Sequence, residues 1–139
     1  MAAPAGLRLG DQPGKFYAAL AEELIAWARH QFELDIPDKG GNTGREHIKG
    51  ALKRARSDDR KRALAAELAG PPLRRQLHYL WTMFNEISAG LESGGFGPAT
   101  VTWQNIEAWS RLTGTSLEPL EAVILARLGQ ARVLAFSKS

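Results

Sequence analysis

The stretch from Leu77 to Leu128 contains three segments in which apolar residues recur at intervals of three and four, separated by glycine-marked turns. This spacing lines apolar side chains along one face of an α-helix, whereas a half-buried strand needs strict alternation of apolar and polar residues. No alternating run of useful length occurs in the chain. The pattern therefore predicts an all-α protein of about five helices.

Capping signals predict where these helices begin and end. Thr43, Ser57 and Thr102 are expected to start helices, because their hydroxyls can accept free backbone amides at a helix N-terminus. Gly114 suits the left-handed position after a helix end, and Pro119 suits a first turn. The predicted helices cover 14–33, 44 to about 56, a short helix that starts at Ser57 and runs to about 69, 72–89 beginning at Pro72 or Leu73, and 102–113. The last predicted helix opens at Pro119, and its apolar face continues to Leu134.

The chain is predicted to fold as one helical domain behind a short arm. Proline and glycine interrupt any period in residues 1–13, which predicts a flexible N-terminal arm. At 139 residues the rest suits one domain, residues 14–139, with a basic helical segment at 44–69 and an aromatic-rich module at 72–135. Phe96, the large apolar residue of the glycine-rich loop 91–100, is expected to dock on the core.

The amino-acid composition limits the expected cellular location of the protein and the chemistry that its side chains can perform. The chain has no cysteine, which removes disulfides, thiol nucleophiles and thiolate metal ligands. No apolar run approaches the roughly 20 residues that span a bilayer, and the first residues lack the features of a secretory signal. We therefore expect an intracellular protein without membrane attachment.

Basic residues are concentrated in the first half of the chain. Residues 39–75 hold eleven Lys or Arg against four acids, whereas residues 76–139 hold four against five. Such a run can neutralise nucleic-acid phosphates, but it is equally typical of a solvated helix surface, and it has no interleaved aromatics for base stacking. Nucleic-acid binding is kept as an alternative. Its candidate residues are Lys53, Arg54, Arg56, Arg60, Lys61 and Arg62.

Other candidate chemistry is weak. The loop from Gly40 to Arg45 precedes a helix but lacks the lysine and the preceding strand of a phosphate-binding loop, so a plain connection is favoured. His30, His47 and His78 lie on three predicted helices without the paired spacing of a zinc site. No serine lies in a nucleophile-elbow pattern. We expect no enzymatic activity, no metal site and no cofactor.

The aromatic residues of the second half allow two interpretations. Residues at helical spacing usually form the core, but partly exposed aromatics can anchor another chain in a groove between helices. The candidate partner-binding residues are Trp81, Phe84, Phe96, Trp103 and Trp109. Spacing alone does not decide between the two interpretations.

The same half of the chain resembles a known group of proteins. The segments LWTMFNEISAG (80–90), GFGP (95–98), TWQNIEAWSRLTG (102–114) and LEP (117–119) occur in this order. Together they resemble small tail-module proteins of tailed bacteriophages and prophages, often described as tail assembly chaperones. The resemblance covers residues 77–128. Leu120 follows Pro119 where the family pattern has an aromatic residue.

The resemblance implies a non-enzymatic assembly factor acting in the cytoplasm of a bacterial host. Such a factor binds the tape measure or tail tube protein, keeps it soluble, and leaves before the virion is finished. A structural component of the tail or the head–tail region, or a small DNA-binding protein, are the alternatives. The resemblance implies no catalytic residues, and it leaves the oligomeric state open.

Overall fold

The computed structural model describes residues 14–91 and 98–137, with side chains from residue 17 onward. In these ranges the chain forms six α-helices, one short 3-10 turn at Arg75–Leu77, and no strand. The predicted all-α class is confirmed. The helices are α1 (Gly14–Leu34), α2 (Gly44–Arg54), α3 (Asp58–Ala69), α4 (His78–Ala89), α5 (Trp103–Thr113) and α6 (Pro119–Ser137).

Three helices, α1, α4 and α6, enclose the core and run in the same general direction. Tyr17 near the start of α1 lies close to Glu121 at the start of α6, and further along both helices Arg127 of α6 donates to Glu22 of α1, at 2.7 Å. Glu121 at the start of α6 accepts from Tyr79 at the start of α4, and Arg132 further along α6 donates to Ser88 near the end of α4. The α2–α3 pair therefore connects α1 to α4, and α5 connects α4 to α6.

The core is formed largely by the apolar faces that the periodicity predicted. The prediction is wrong for part of α6, where Leu120, Val123 and Leu134 were expected on the apolar face but are exposed, and Leu125 is buried instead. Burying the core side chains, at roughly 1.5–3 kcal/mol each, supplies the main stabilisation of the helices, because most helical stability in a protein comes from packing of the apolar face. Its completely or almost completely buried apolar members are Leu24, Ala28, Leu77, Leu80, Phe84, Ile124, Leu125 and Leu128.

A carboxylate is buried at the start of α6. Glu121 has no exposed surface, and it accepts hydrogen bonds from the Tyr79 hydroxyl at 2.5 Å and the Glu118 backbone amide at 2.8 Å. Its place in a first helical turn is favourable, because free amides and the helix dipole stabilise negative charge there. Burial, together with Glu121 and Glu118, raises the pKa of the nearby Tyr17 hydroxyl to about 12.

The predicted helix caps are confirmed. The hydroxyls of Thr43 and Ser57 accept the backbone amides of the third helical residues of α2 and α3. Thr102 and Asn105 form a reciprocal capping box at the start of α5, and Gly114 follows its end in the left-handed conformation with φ 68°. Each cap depends on residues within one helical turn, which is why local sequence identifies it.

The predicted start of the helix over 72–89 is wrong. The α-helix begins at His78, after the 3-10 turn. Arg74 is extended, with ψ 140°, and both its backbone amide (2.8 Å) and its Nε (3.1 Å) donate to the carboxylate of Glu23 on α1. These two hydrogen bonds hold residue 74 in the extended conformation, so the helix begins after this residue.

The two helices predicted for the basic segment are present as α2 and α3, and the described part of the chain has six α-helices where about five were expected. Ala55 is extended and ends α2 at Arg54, two residues before the predicted end. Helix α6 continues to Ser137, beyond the predicted residue 134. The predicted N-terminal arm of residues 1–13 and the predicted docking of Phe96 both lie outside the described residues.

The α2–α3 pair is joined to α1 mainly through polar contacts. Gln31 Nε2 donates to the Leu68 carbonyl at 3.0 Å, and Gln31 Oε1 accepts from Arg45 Nη2 at 3.0 Å. His30 Nε2 lies 2.6 Å from the Glu67 carbonyl oxygen. Leu64 is the buried residue of the pair, whereas Ile48, Leu52 and Leu68, whose helical spacing indicates inward-facing positions, are half-buried.

Gly129 marks the closest approach of α6 to the segment before α5. A Cβ at residue 129 would lie 2.9 Å from Val101 Cβ, closer than two carbon atoms can pack. Helical Gly50 is a matched control, because its Cβ would meet only the flexible end of Arg54, at 3.4 Å.

We expect Gly129→Ala and Gly50→Ala to change stability in opposite directions. Gly50→Ala should raise the free energy of unfolding by about 0.5–1 kcal/mol through helix propensity. Gly129→Ala should lower it by about 1–3 kcal/mol, because overpacking outweighs that gain. Urea denaturation followed by circular dichroism measures both. Equal stabilisation by the two changes would contradict the packing at Val101.

Candidate partner-binding site

An aromatic cluster joins α1 to α4. Trp81 makes an edge contact with Trp27 at 4.9 Å between ring centroids, and it stacks on Phe84 at 5.7 Å. Phe32 contacts both α4 rings, at 5.5 and 5.9 Å. Each such pair contributes roughly 0.5–1.5 kcal/mol beyond simple area burial. Trp27 and Phe32 were predicted as part of the apolar face of α1 but not as members of this cluster.

Arg132 fixes α6 against this cluster. Its guanidinium carbon lies 4.8 Å from the centroid of the Phe84 ring, a cation–π contact. Its Nη1 donates to Ser88 Oγ and its Nη2 to the Ala99 carbonyl, both at 3.0 Å. Burial lowers the pKa of Arg132 from its ordinary value. These contacts make Arg132 a structural cation that connects three parts of the fold.

A groove opens between the end of α4 and α5. It encloses about 230 Å³. Its walls are mainly apolar and include Ile87 of α4 and Trp109 and Leu112 of α5, and the polar residues Glu86 and Asn105 also line it. Leu112 is 77% exposed, so the apolar wall continues onto the outer surface. The remaining lining residues are Gly90, Leu91 and Ala108.

Trp103 lies on a different side of α5. It is the first residue of that helix and is 58% exposed. Because successive helical residues are rotated by about 100°, Trp103 and Trp109 are separated by about 120° around the axis. An exposed tryptophan at this position is a second apolar surface, distinct from the groove.

The five aromatic residues singled out in the sequence therefore do not form one surface in the described part of the chain. Phe84 is fully buried, and Trp81 is half-buried in the same cluster. Trp109 is half-buried in the groove wall, Trp103 is exposed elsewhere, and Phe96 lies outside the described residues. Leu112 belongs to the groove but was not predicted as a site residue. From the sequence, an apolar residue at helical spacing is expected to lie in the core.

The six basic candidates all lie on the surface of the α2–α3 pair. Every one of them is exposed. Arg62 forms an ion pair with Asp59 one turn earlier, and the fully exposed position of both makes this pair weak. The α2–α3 pair therefore carries exposed positive charge, and we call this basic surface the cationic face. Its basic residues are Lys53, Arg54, Arg56, Arg60, Lys61 and Arg62.

In the loop before α2, a carboxylate of the loop itself accepts hydrogen bonds from two of the loop's backbone amides. The Asp38 carboxylate accepts the amides of Gly40 and Asn42 at 2.9 and 3.0 Å, and His47 Nε2 lies 3.0 Å from the same carboxylate. These hydrogen bonds lower the pKa of Asp38, with His47 the largest cause. A carboxylate in this position repels a phosphate, which argues against the phosphate-loop interpretation.

The histidines serve separate local contacts. His30 contacts the end of α3, His47 contacts Asp38, and the ring of His78 lies 6.2 Å from Trp27. In residues 14–91 and 98–137, no group of three side chains with metal-ligating atoms comes together. Over the same residues, no helix is both long and apolar enough to cross a membrane.

Comparison with known proteins gives one match. A family model described as phage tail assembly chaperone matches residues 56–128, just over half of the 139 residues. The match begins before α3, so it extends further towards the N-terminus than the resemblance over 77–128 indicated. No curated protein and no solved structure matches the chain.

We expect Phe84 and Trp103 to differ sharply in their contribution to stability. Phe84→Ala should lower the free energy of unfolding by about 3–5 kcal/mol, because it leaves a cavity among fully buried neighbours. Trp103→Ala should change it by no more than about 0.5 kcal/mol, as an exposed side chain does. Chemical denaturation measures both. A large loss for Trp103→Ala would show that this residue belongs to the core.

Proposed function

The chain belongs to the phage tail assembly chaperone family, and from that premise we propose that it binds the tape measure or tail tube protein during tail assembly. Family membership makes the protein a non-enzymatic assembly factor whose partners are tail proteins. In the proposal it holds an apolar segment of the client in the host cytoplasm, keeps the client soluble, and is released before the tail is complete.

The groove between α4 and α5 carries this proposal. It is an open apolar surface within the family-matched residues, and it ends at the exposed Leu112. Exposed apolar surface rimmed by polar residues is typical of a binding site, since it costs free energy in water until a partner covers it. The groove has polar residues beside its apolar lining, Glu86 and Asn105.

The size of the groove favours one kind of client segment. A closed cavity of about 150 Å³ holds a benzene ring, so about 230 Å³ accommodates one large apolar side chain. A helix laid along α5 can insert one such anchor and place neighbouring apolar residues against Leu112. We therefore propose an amphipathic helical segment of the tape measure protein as the occupant, with the tail tube protein as the alternative client.

In this proposal the aromatic residues have two roles: some contact the client, and others support α4. Trp109 forms the wall that the client anchor touches, and Trp103 adds a peripheral contact for a client that wraps around α5. A buried Phe84 presents no surface to a client, so together with Trp81 it keeps α4 in place. The proposed contact residues are Trp109, Leu112 and Trp103.

We expect Leu112→Glu to reduce complex formation with the client at least tenfold. The change puts a charge into an apolar contact without disturbing the core, because Leu112 is an exposed residue. Co-expression of the tape measure protein with each variant, followed by quantification of soluble client and of the co-purified complex, measures the effect. Trp109→Ala tests the groove wall in the same assay, with a melting curve to establish that it folds.

Leu134→Glu is the matched control, because Leu134 is an exposed leucine on α6 outside the groove lining. It should leave the amount of soluble client unchanged. If the wild-type chain neither solubilises nor co-purifies with the tape measure protein, and the tail tube protein replaces it in the same assay, the client is the tail tube protein. If neither protein is bound, the chaperone proposal is wrong.

The cationic face of α2–α3 supports a second candidate, binding of nucleic acid or retention in the virion at a DNA-facing position. The observation in its favour is that all six basic residues are exposed. Contacts of this kind are independent of sequence and weaken steeply with salt, because they work by releasing counterions.

The double change Arg60→Glu and Arg62→Glu separates the two candidates. If the cationic face binds DNA, the wild-type chain should bind duplex DNA at low salt with a steep salt dependence, and the charge reversal should abolish this. Client capture through the groove should survive moderate salt and the charge reversal alike. Fluorescence anisotropy with labelled duplex measures the first, and the co-purification assay measures the second. Absence of DNA binding even at low salt removes the second candidate.

A further inference from the structure

The groove between α4 and α5 has one charged residue in its described lining, Glu86 of α4. This residue is exposed, and over residues 14–91 and 98–137 its carboxylate forms no hydrogen bond and no ion pair. Two carboxylates of α1 are paired by contrast, Glu22 with Arg127 and Glu23 with Arg74. The groove therefore presents an unpaired negative charge beside its apolar lining.

The end of α4 adds to the negative potential of the groove. Gly90 and Leu91, which follow the last residue of α4, belong to the groove lining together with Glu86. The last carbonyl groups of a helix carry the negative end of its dipole, which a Lys or Arg in the last turn commonly offsets. The last turn of α4, which lies wholly within the described residues, contains no basic residue. A carboxylate and a helix C-terminus therefore border the same apolar opening.

Two arginines adjoin residues near the groove, but neither of them belongs to its described lining. Arg132 donates to Ser88 of α4, and Ser88 is about 160° from Glu86 around the helix axis, on the side that contacts α6. Arg111 precedes Leu112 on α5, and its position is about 100° from Leu112 around that axis. The negative charge of Glu86 is therefore left for an incoming chain to neutralise.

We propose that Glu86 selects a client segment that carries a lysine or arginine within one helical turn of its apolar anchor. This inference rests on the proposed chaperone function, and it names the class of segment as a basic amphipathic helix. The anchor enters the groove beside Trp109 and Leu112, and the cationic head pairs with the Glu86 carboxylate. The apolar stem of a lysine or arginine packs along the groove while its charged head stays at the edge.

The same carboxylate disfavours other segments. A client helix laid over the groove removes water from Glu86, and a charge that loses water without gaining a partner costs free energy. A basic residue of the client offsets this cost, an apolar residue does not, and an acidic residue adds repulsion, so specificity arises from the differences. Because Glu86 is exposed, the preference for a basic over an acidic neighbour should be about threefold to tenfold in affinity.

Synthetic peptides test this preference. Overlapping peptides of the tape measure and tail tube proteins, probed with the purified chain, identify the bound segment, and loss of binding to Leu112→Glu places that segment in the groove. The basic residue beside its anchor is then replaced by glutamate. Fluorescence anisotropy should show that the wild-type chain binds the parent peptide about threefold to tenfold more tightly than the glutamate peptide. With Glu86→Lys, the order of the two affinities should reverse.

Glu107→Lys is the matched control, because Glu107 is an exposed acid of α5 outside the groove lining. It should leave the wild-type preference unchanged, and circular dichroism spectra establish that both lysine variants fold. Reversal of the preference when the two charges are exchanged requires a direct pairing, since a purely structural role of Glu86 would weaken both peptides alike.

Three results would overturn this assignment of Glu86. These are a bound segment without a basic residue within one turn of its anchor, a preference that persists in Glu86→Lys, or a preference that Glu107→Lys also reverses. In each case the client is still bound in the groove, so the chaperone proposal stands. If the wild-type chain binds neither a peptide nor a whole client protein, the chaperone proposal fails and this inference fails with it.

Discussion

The packing of α1 against α4 and α6 is the contact on which the rest of the fold depends. The family match covers residues 56–128, yet the apolar faces of α4 and α6 in that region are completed by Leu24, Ala28 and Phe32 of α1. The Glu22–Arg127 and Glu23–Arg74 ion pairs clasp α1 to the same elements at its rim. The shared region is thus stabilised by a helix outside it, so a fragment restricted to 56–128 would expose one side of its core to water.

Burial gives the same residue types two different roles. Trp81 and Phe84 lie where α1, α4 and α6 meet, and there they hold helices together. Trp109 lies beside the end of α4, where its half-buried ring packs against the core and also forms part of the wall of an open groove. The same helix thus contributes to a closed core through Phe84 and, near its C-terminal end, to the open groove. The polar attachment of α2–α3 keeps the basic residues apart from both.

Local features of the fold could be predicted from sequence, and features set by distant residues could not. Thr43, Ser57, Thr102 and Gly114 act within one helical turn, so their capping roles were correct. The start of α4 was misplaced because its determinant, Glu23, lies 51 residues away. Periodicity placed Trp81, Trp103 and Trp109 on helices, but it carries no information on which neighbours cover each ring. The division of the aromatics between core and groove needed the tertiary arrangement.

The order of the helices has a consequence for how the chain acquires its structure. Helix α1 is synthesised first, but its partners α4 and α6 follow more than 40 and about 100 residues later. Contacts of such high sequence separation slow folding, because the entropy of closing long loops is lost before the contacts form. During translation, the apolar face of α1 therefore stays uncovered until α6 has been synthesised. A protein proposed to shield the apolar segment of a client must itself pass through a stage in which its own first helix is unshielded.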